Sequence, residues 1–135
     1  MLDAEPAVEG ETRSRVALTD SSVQLLRRLW DIHGPLMFHQ SGGCCDGSSP
    51  MCYPADDFIT SDADVLLGRF DVAPAGEPAQ PIDFWMSTEQ FAYWRHTHLT
   101  VDVVPGRGSG FSVEGPEGVR FLIRSRLMDT AEPFV

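Results

Sequence analysis

Four residues able to hold a soft metal or to carry thiol chemistry crowd into one stretch of the chain, "HQSGGCCDGSSPMC": His39, Cys44, Cys45 and Cys52. They include all three cysteines of the protein. Thiolate and imidazole together suit zinc, copper(I) or iron. The spacing His-x4-Cys-Cys-x6-Cys is not that of a zinc finger, and it contains no Cys-x-x-Cys pair. Neighbouring side chains usually project in different directions. The metal set expected is therefore His39, one or both of Cys44 and Cys45, and Cys52, completed by water, Asp46, His96 or His98.

Nucleophilic or redox chemistry is the second reading of the same residues. Gly42 and Gly43 leave backbone N–H groups open beside the thiols, a setting that lowers a thiol pKa or holds an oxyanion. His39 is then the base and Cys44 or Cys45 the nucleophile. A Cys44–Cys45 disulfide is disfavoured as a staple. Adjacent Cα atoms lie about 3.8 Å apart, below the usual bridged range of about 4.4–6.8 Å, so such a bond suits a reversible switch better. The plain alternative is that the cysteines pack as small apolar side chains. Their Gly/Ser/Pro surroundings do not read as core.

The elements that must position these residues follow from local pattern. "TDSSVQLLRRLWDIHGP" is the clearest helix, expected over 21–33, with Thr19, Asp20 or Ser21 as cap and Ser21 with Gln24 as a capping box. Gly34 and Pro35 stop it. "PLMFH" reads as a short strand that delivers His39 to the cysteine segment. Residues 40–57 carry many breakers and no period, so they are expected as one long functional loop. "FIT", "DVLLGRFDV" and "IDFWM" read as strands, and "APAGEPAQP" as an exposed connector. "MSTEQFAYWRHT" opens a second helix, about 88–95, with Ser87 and Gln90 as a capping box. "HLTVDVV" alternates as a strand, and "FSVE-GPEG-VRFLIRSRL" reads as a hairpin. Residues 1–18 lack periodicity and read as a flexible tail before a single domain over 19–130. The order of elements is not a regular βα alternation. The expectation is a compact α+β domain, a mostly antiparallel sheet packed with two helices.

Other constellations carry less. "PGRGSG" lacks the Lys of a phosphate-binding loop and reads as a turn bearing Arg107. Arg124 and Arg126 share a strand face, where pairing with Asp102 is the expected use. His96 and His98 are more often a cap or a satisfied polar group than a ligand.

Composition narrows the classes. The chain has 135 residues and a net charge of −10; its ten basic residues are all Arg, so no Lys is present for Schiff-base chemistry. Such acidity repels phosphate backbones, and nucleic acid is not expected as a partner. No apolar run approaches the roughly 20 residues that cross a membrane, and the N-terminus lacks the apolar core of a secretory signal. A cytoplasmic location with reduced thiols is the expectation.

The segments "HGPLMFHQSGGCCDGSSPMCYP", "DVLLG", "MSTEQFAYWRHTHL", "DVVPGRGSGFSVE" and "GVRFLIRSR" resemble the bacterial family known as domain of unknown function 779. The resemblance spans about residues 29–127, with the cysteine segment as its most specific part. At the second His of "HTH" that family commonly carries Gln, so the resemblance favours His96 over His98. It implies no established activity. Frequent proximity of the family's genes to aldehyde dehydrogenase genes implies a role beside aldehyde or alcohol oxidation. The readings carried forward are three: a transition-metal-binding accessory to that oxidation, with Zn, Cu or Fe at His39, Cys44, Cys45, Cys52 and His96; a small thiol enzyme using Cys44 or Cys45 with His39; and a non-catalytic partner of an aldehyde dehydrogenase. Self-association into a homo-oligomer is a further partner expectation.

Overall fold

The structure is a computed structural model that describes residues 1–41, 47–107 and 112–128. Its elements run β1 (Leu2–Asp3), β2 (Glu5–Pro6), β3 (Val16–Leu18), α1 (Asp20–His33), β4 (Leu36–Gln40), β5 (Met51–Pro54), β6 (Asp64–Asp71), β7 (Pro81–Ser87), α2 (Thr88–Trp94), β8 (Thr97–Pro105), a 3-10 turn (Gly115–Glu117) and β9 (Val119–Leu127). They form two sheets, ordered β1-β3-β8-β9 and β2-β6-β7-β4-β5. Only β3–β8 and β4–β7 pair in parallel; the other pairings are antiparallel. The fold is therefore α+β with mostly antiparallel pairing, in two sheets where one was expected.

Period-2 patterning explains how the sheets meet. In β7 the buried residues are Ile82, Phe84 and Met86, while Pro81, Asp83, Trp85 and Ser87 face the other way. In β9 Phe121 and Ile123 turn inward, and Leu99 and Val101 do so from β8. Phe38 of β4 lies edge-on to Phe121 of β9 at 5.0 Å and against Phe84 of β7 at 5.5 Å, joining the two inner faces. All three rings are fully buried, each worth about 1.5–3 kcal/mol of apolar burial.

Helix α1 adds Leu25, Leu26 and Leu29 to this core. Its cap is Thr19, whose hydroxyl accepts the Ser22 N–H; the Ser21–Gln24 box is not the device used. Gly34, at φ 78°, donates its N–H to the Trp30 carbonyl and ends the helix where the Gly-Pro signal placed it. Ser87 caps α2 by accepting the Gln90 N–H, as expected, but the Gln90 side chain accepts the Trp94 indole N–H instead of closing the box.

Four expectations need correction. Residues 1–18 are not a free tail. Val16–Leu18 form a fully buried strand parallel to β8, and β2 pairs with β6 at Glu5↔Arg69 and Pro6↔Gly68. Gly68 makes this docking feasible, because a Cβ there would meet Ala4 Cβ at 2.6 Å. The long loop over 40–57 is interrupted by β5, which pairs antiparallel with β4. The partner of β9 is β8, over positions Thr97↔Leu127 to Pro105↔Val119, and not "FSVE". Ser112 to Glu114 turn instead to β5: Cys52 N–H donates to Ser112 Oγ at 2.8 Å and Val113 N–H to the Cys52 carbonyl at 3.0 Å. "FIT" lies in the irregular connection between β5 and β6. Among the described residues, no helix is long and apolar enough to cross a membrane.

Candidate functional site

The pairing register separates the residues that sequence had grouped. Phe38 faces Cys52 across β4–β5, and both belong to the core. His39 is the next residue of β4, so its side chain emerges on the opposite, outer face of the sheet. There it stands beside Trp85 of β7 and opposite Met51 of β5. Cys52 and His39 thus cannot share an ion, and the expected ligand set loses Cys52. Burial pushes the Cys52 thiol well above its ordinary value, and the nearby Glu114 carboxylate pushes it further. A thiol held neutral in this way is a poor ligand and a poor nucleophile.

His39 is almost fully buried and hydrogen-bonded through both ring nitrogens. Nε2 lies 2.7 Å from Asp64 Oδ1, and Nδ1 lies 2.7 Å from Ser41 Oγ. Asp64 opens β6, and its other oxygen accepts the Ser61 N–H at 3.0 Å. Partial burial pushes the Asp64 carboxyl up. The His39 hydrogen bond, the Ser61 N–H and the His39 charge outweigh that effect and hold it below the ordinary carboxylate range. An ionised carboxylate only accepts, so Nε2 carries the hydrogen. In the neutral ring Nδ1 is then a free lone pair that accepts the Ser41 hydroxyl. The Phe58 ring lies 4.4 Å from the imidazole, and Tyr53 stacks on Phe58 at 5.2 Å.

This arrangement is a carboxylate-oriented imidazole at the end of β4. Ser41 is exposed and is the last described residue before Gly42–Asp46; Cys44 follows it by three positions. Cys44, Cys45, Asp46 and the Gly42–Gly43 pair lie outside the described residues. Beyond that segment the chain is held by β9. Gly47 N–H donates to the Ile123 carbonyl, Ile123 N–H to the Ser48 carbonyl, and Arg120 to Gly47 O and Ser49 Oγ.

The remaining histidines are elsewhere. His96 is exposed in the turn after α2, and its carbonyl accepts the Met128 N–H. His98 lies on β8 in the other sheet, opposite Arg126. Burial, and then the Arg126 charge, lower its pKa. Neither shares a strand or sheet with His39. Among the described residues no group of three or more His, Cys, Asp and Glu side chains could hold a metal ion. Arg124 pairs with Asp102 at 3.0 Å, the internal use expected of it.

Sequence reasoning missed Ser41, Asp64 and Phe58. Ser41 was findable, since residues two apart on a strand share a face. Asp64 was not, because its contact with His39 crosses β7 and depends on the strand order β6-β7-β4.

The chain matches the family model described as Domain of unknown function (DUF779) over residues 25–127. No curated protein and no solved structure matches it. The protein belongs to the DUF779 family.

Proposed function

We propose that this DUF779 protein works through a thiol–imidazole site in which His39, oriented by Asp64, takes the proton of Cys44 or Cys45. The observation that carries the reading is the Asp64–His39–Ser41 relay, with 2.7 Å at each contact. It leaves Nδ1 as the acceptor, already reached by a hydroxyl from the segment that leads into the cysteines. The reaction this supports best is reversible capture of an aldehyde. The thiolate sulfur bonds to the carbonyl carbon, the C=O π pair moves to oxygen, and that oxygen takes the proton held at Nδ1. The product is a thiohemiacetal, and no oxidant is consumed. Its reversal releases the aldehyde to a dehydrogenase partner. The aldehyde and the partner rest on the genomic association that the family implies.

Iodoacetamide labelling across pH, read by mass spectrometry, tests the site. One of Cys44 and Cys45 should react well below pH 8, and Asp64→Asn should move that profile upward. Equivalent slow reaction at all three cysteines would sink the reading.

The same geometry favours a second reading. A metal-binding histidine commonly donates its other N–H to a carboxylate, as His39 does to Asp64. Here Nδ1 with the Cys44 and Cys45 thiolates, and Asp46, would supply a soft set for zinc, copper(I) or iron. Elemental analysis separates the two. Metal at one equivalent, lost in His39→Ala and Cys44→Ser but kept in Cys52→Ser, would establish the second reading over the first.

A further inference from the structure

A cavity of about 450 Å³ opens on the outer face of the five-stranded sheet, within the range of about 300–1,000 Å³ typical of small-molecule sites. Met37 and Asp83, register partners on β4 and β7, line it together with the aromatic rings of Phe58 and Trp85, and Pro81 and Arg69 are also among its lining residues. His39 is two residues beyond Met37 on the same strand face, about 6.8 Å along β4, and it neighbours Trp85 in the register. Phe58 serves both places: it lines the cavity and lies 4.4 Å from the imidazole. Among the described lining residues the two charged side chains, Arg69 and Asp83, are paired with each other. Arg69 donates from Nε and Nη2 to the two carboxylate oxygens of Asp83, at 2.6 and 3.2 Å.

We infer that this cavity binds an uncharged small molecule with an aromatic or compact apolar body, and that Phe58 is the partition between it and His39. Among the described lining residues neither an anion nor a cation finds an unpaired counter-ion, because Arg69 and Asp83 neutralise one another. A charged ligand would lose hydration without compensation. An apolar body gains contact with Phe58, Trp85 and Met37, and a neutral polar end can meet the Arg69–Asp83 pair. The ligand class follows from the cavity itself. That its occupant is the compound on which His39 acts rests on the thiol–imidazole reading above.

Three probes with one ring and different charge test this: benzyl alcohol, benzoate and benzylamine, titrated into the full chain and followed by amide and indole NMR. Benzyl alcohol should give saturable shifts at Met37, Phe58 and the Trp85 indole. Benzoate and benzylamine should bind at least about tenfold more weakly, the cost of stripping water from an unpaired charge. Trp85→Phe should weaken benzyl alcohol binding, and Phe58→Leu should let the His39 ring protons respond to it. The Cys44→Ser/Cys45→Ser double variant should bind it as the wild type does. Binding of benzyl alcohol without an acid-shifted thiol would uphold the cavity and refute the thiol reading. A reactive thiol with no saturable shift at these residues would overturn the cavity site alone. Benzoate or benzylamine binding as well as the alcohol would also overturn it.

Discussion

The two faces of the five-stranded sheet place similar groups in opposite chemical situations. On the inner face, Cys52 lies beside a fully buried carboxylate, Glu114. Glu114 accepts the Ser112 hydroxyl and the Phe121 N–H. On the outer face, His39 lies against Asp64 and receives the Ser41 hydroxyl. Each face pairs a reactive-type side chain with a carboxylate and a serine. Inside, burial and the carboxylate disfavour the thiolate, so the arrangement only fastens β5 and β9 to the 112–114 segment. Outside, the carboxylate fixes the tautomer of the neutral imidazole and leaves a lone pair that meets the Ser41 hydroxyl. One residue of register decides which role results.

The contrast breaks if inner and outer substitutions have the same consequences. The largest effect belongs to Phe38→Ala, which empties the junction between the sheets and should cost about 3–5 kcal/mol in urea unfolding. The pH profile of cysteine labelling in the folded fraction should not move.

Asp64→Ala is the outer counterpart. Losing a charge-assisted hydrogen bond should cost about 1.5–3 kcal/mol near neutral pH, and it should raise the labelling profile. The Asp64 pKa is depressed in the folded state, so its contribution is complete above the unfolded carboxylate value and is lost as pH falls through the folded one. The stability gap between wild type and variant should therefore close as pH drops through the lower part of the carboxylate range. A gap that widens in acid would contradict the assignment.

The smallest effect is Cys52→Ala, about 0.5–1.5 kcal/mol for a minor cavity, with no change in labelling at Cys44 or Cys45. Native Cys52 should label only after unfolding. Labelling of Cys52 in the native protein would erase the distinction between the faces.

What could be read from sequence follows the range of the interactions. Helix α1 was legible because Thr19, the Leu25/Leu26/Leu29 stripe and the Gly34–Pro35 stop lie within one short segment. β7 was legible because seven residues suffice to display alternation. β1 and β2 were not, since two residues show no period and their stability comes from Val16, Leu18 and Gly68 far along the chain. Cys52 was misplaced for a related reason. β5 is four residues long, flanked by Pro50 and ended by Pro54, and is recognisable as a strand only once β4 and the 112–114 segment lie beside it. His39 was found as a candidate by its type and position. Its working partner Asp64 required the fold.

The N-terminal hexapeptide pairs with both sheets: Leu2–Asp3 extend one through β3, and Glu5–Pro6 extend the other through β6. Its direct partners include Gly68 and Arg69, and β3 in turn needs residues 99–101 of β8. Residues 2–6 therefore cannot be seated until β3, β6 and β8 are in place. Until this clasp closes, the β3 edge of one sheet and the β6 edge of the other remain open to other strands.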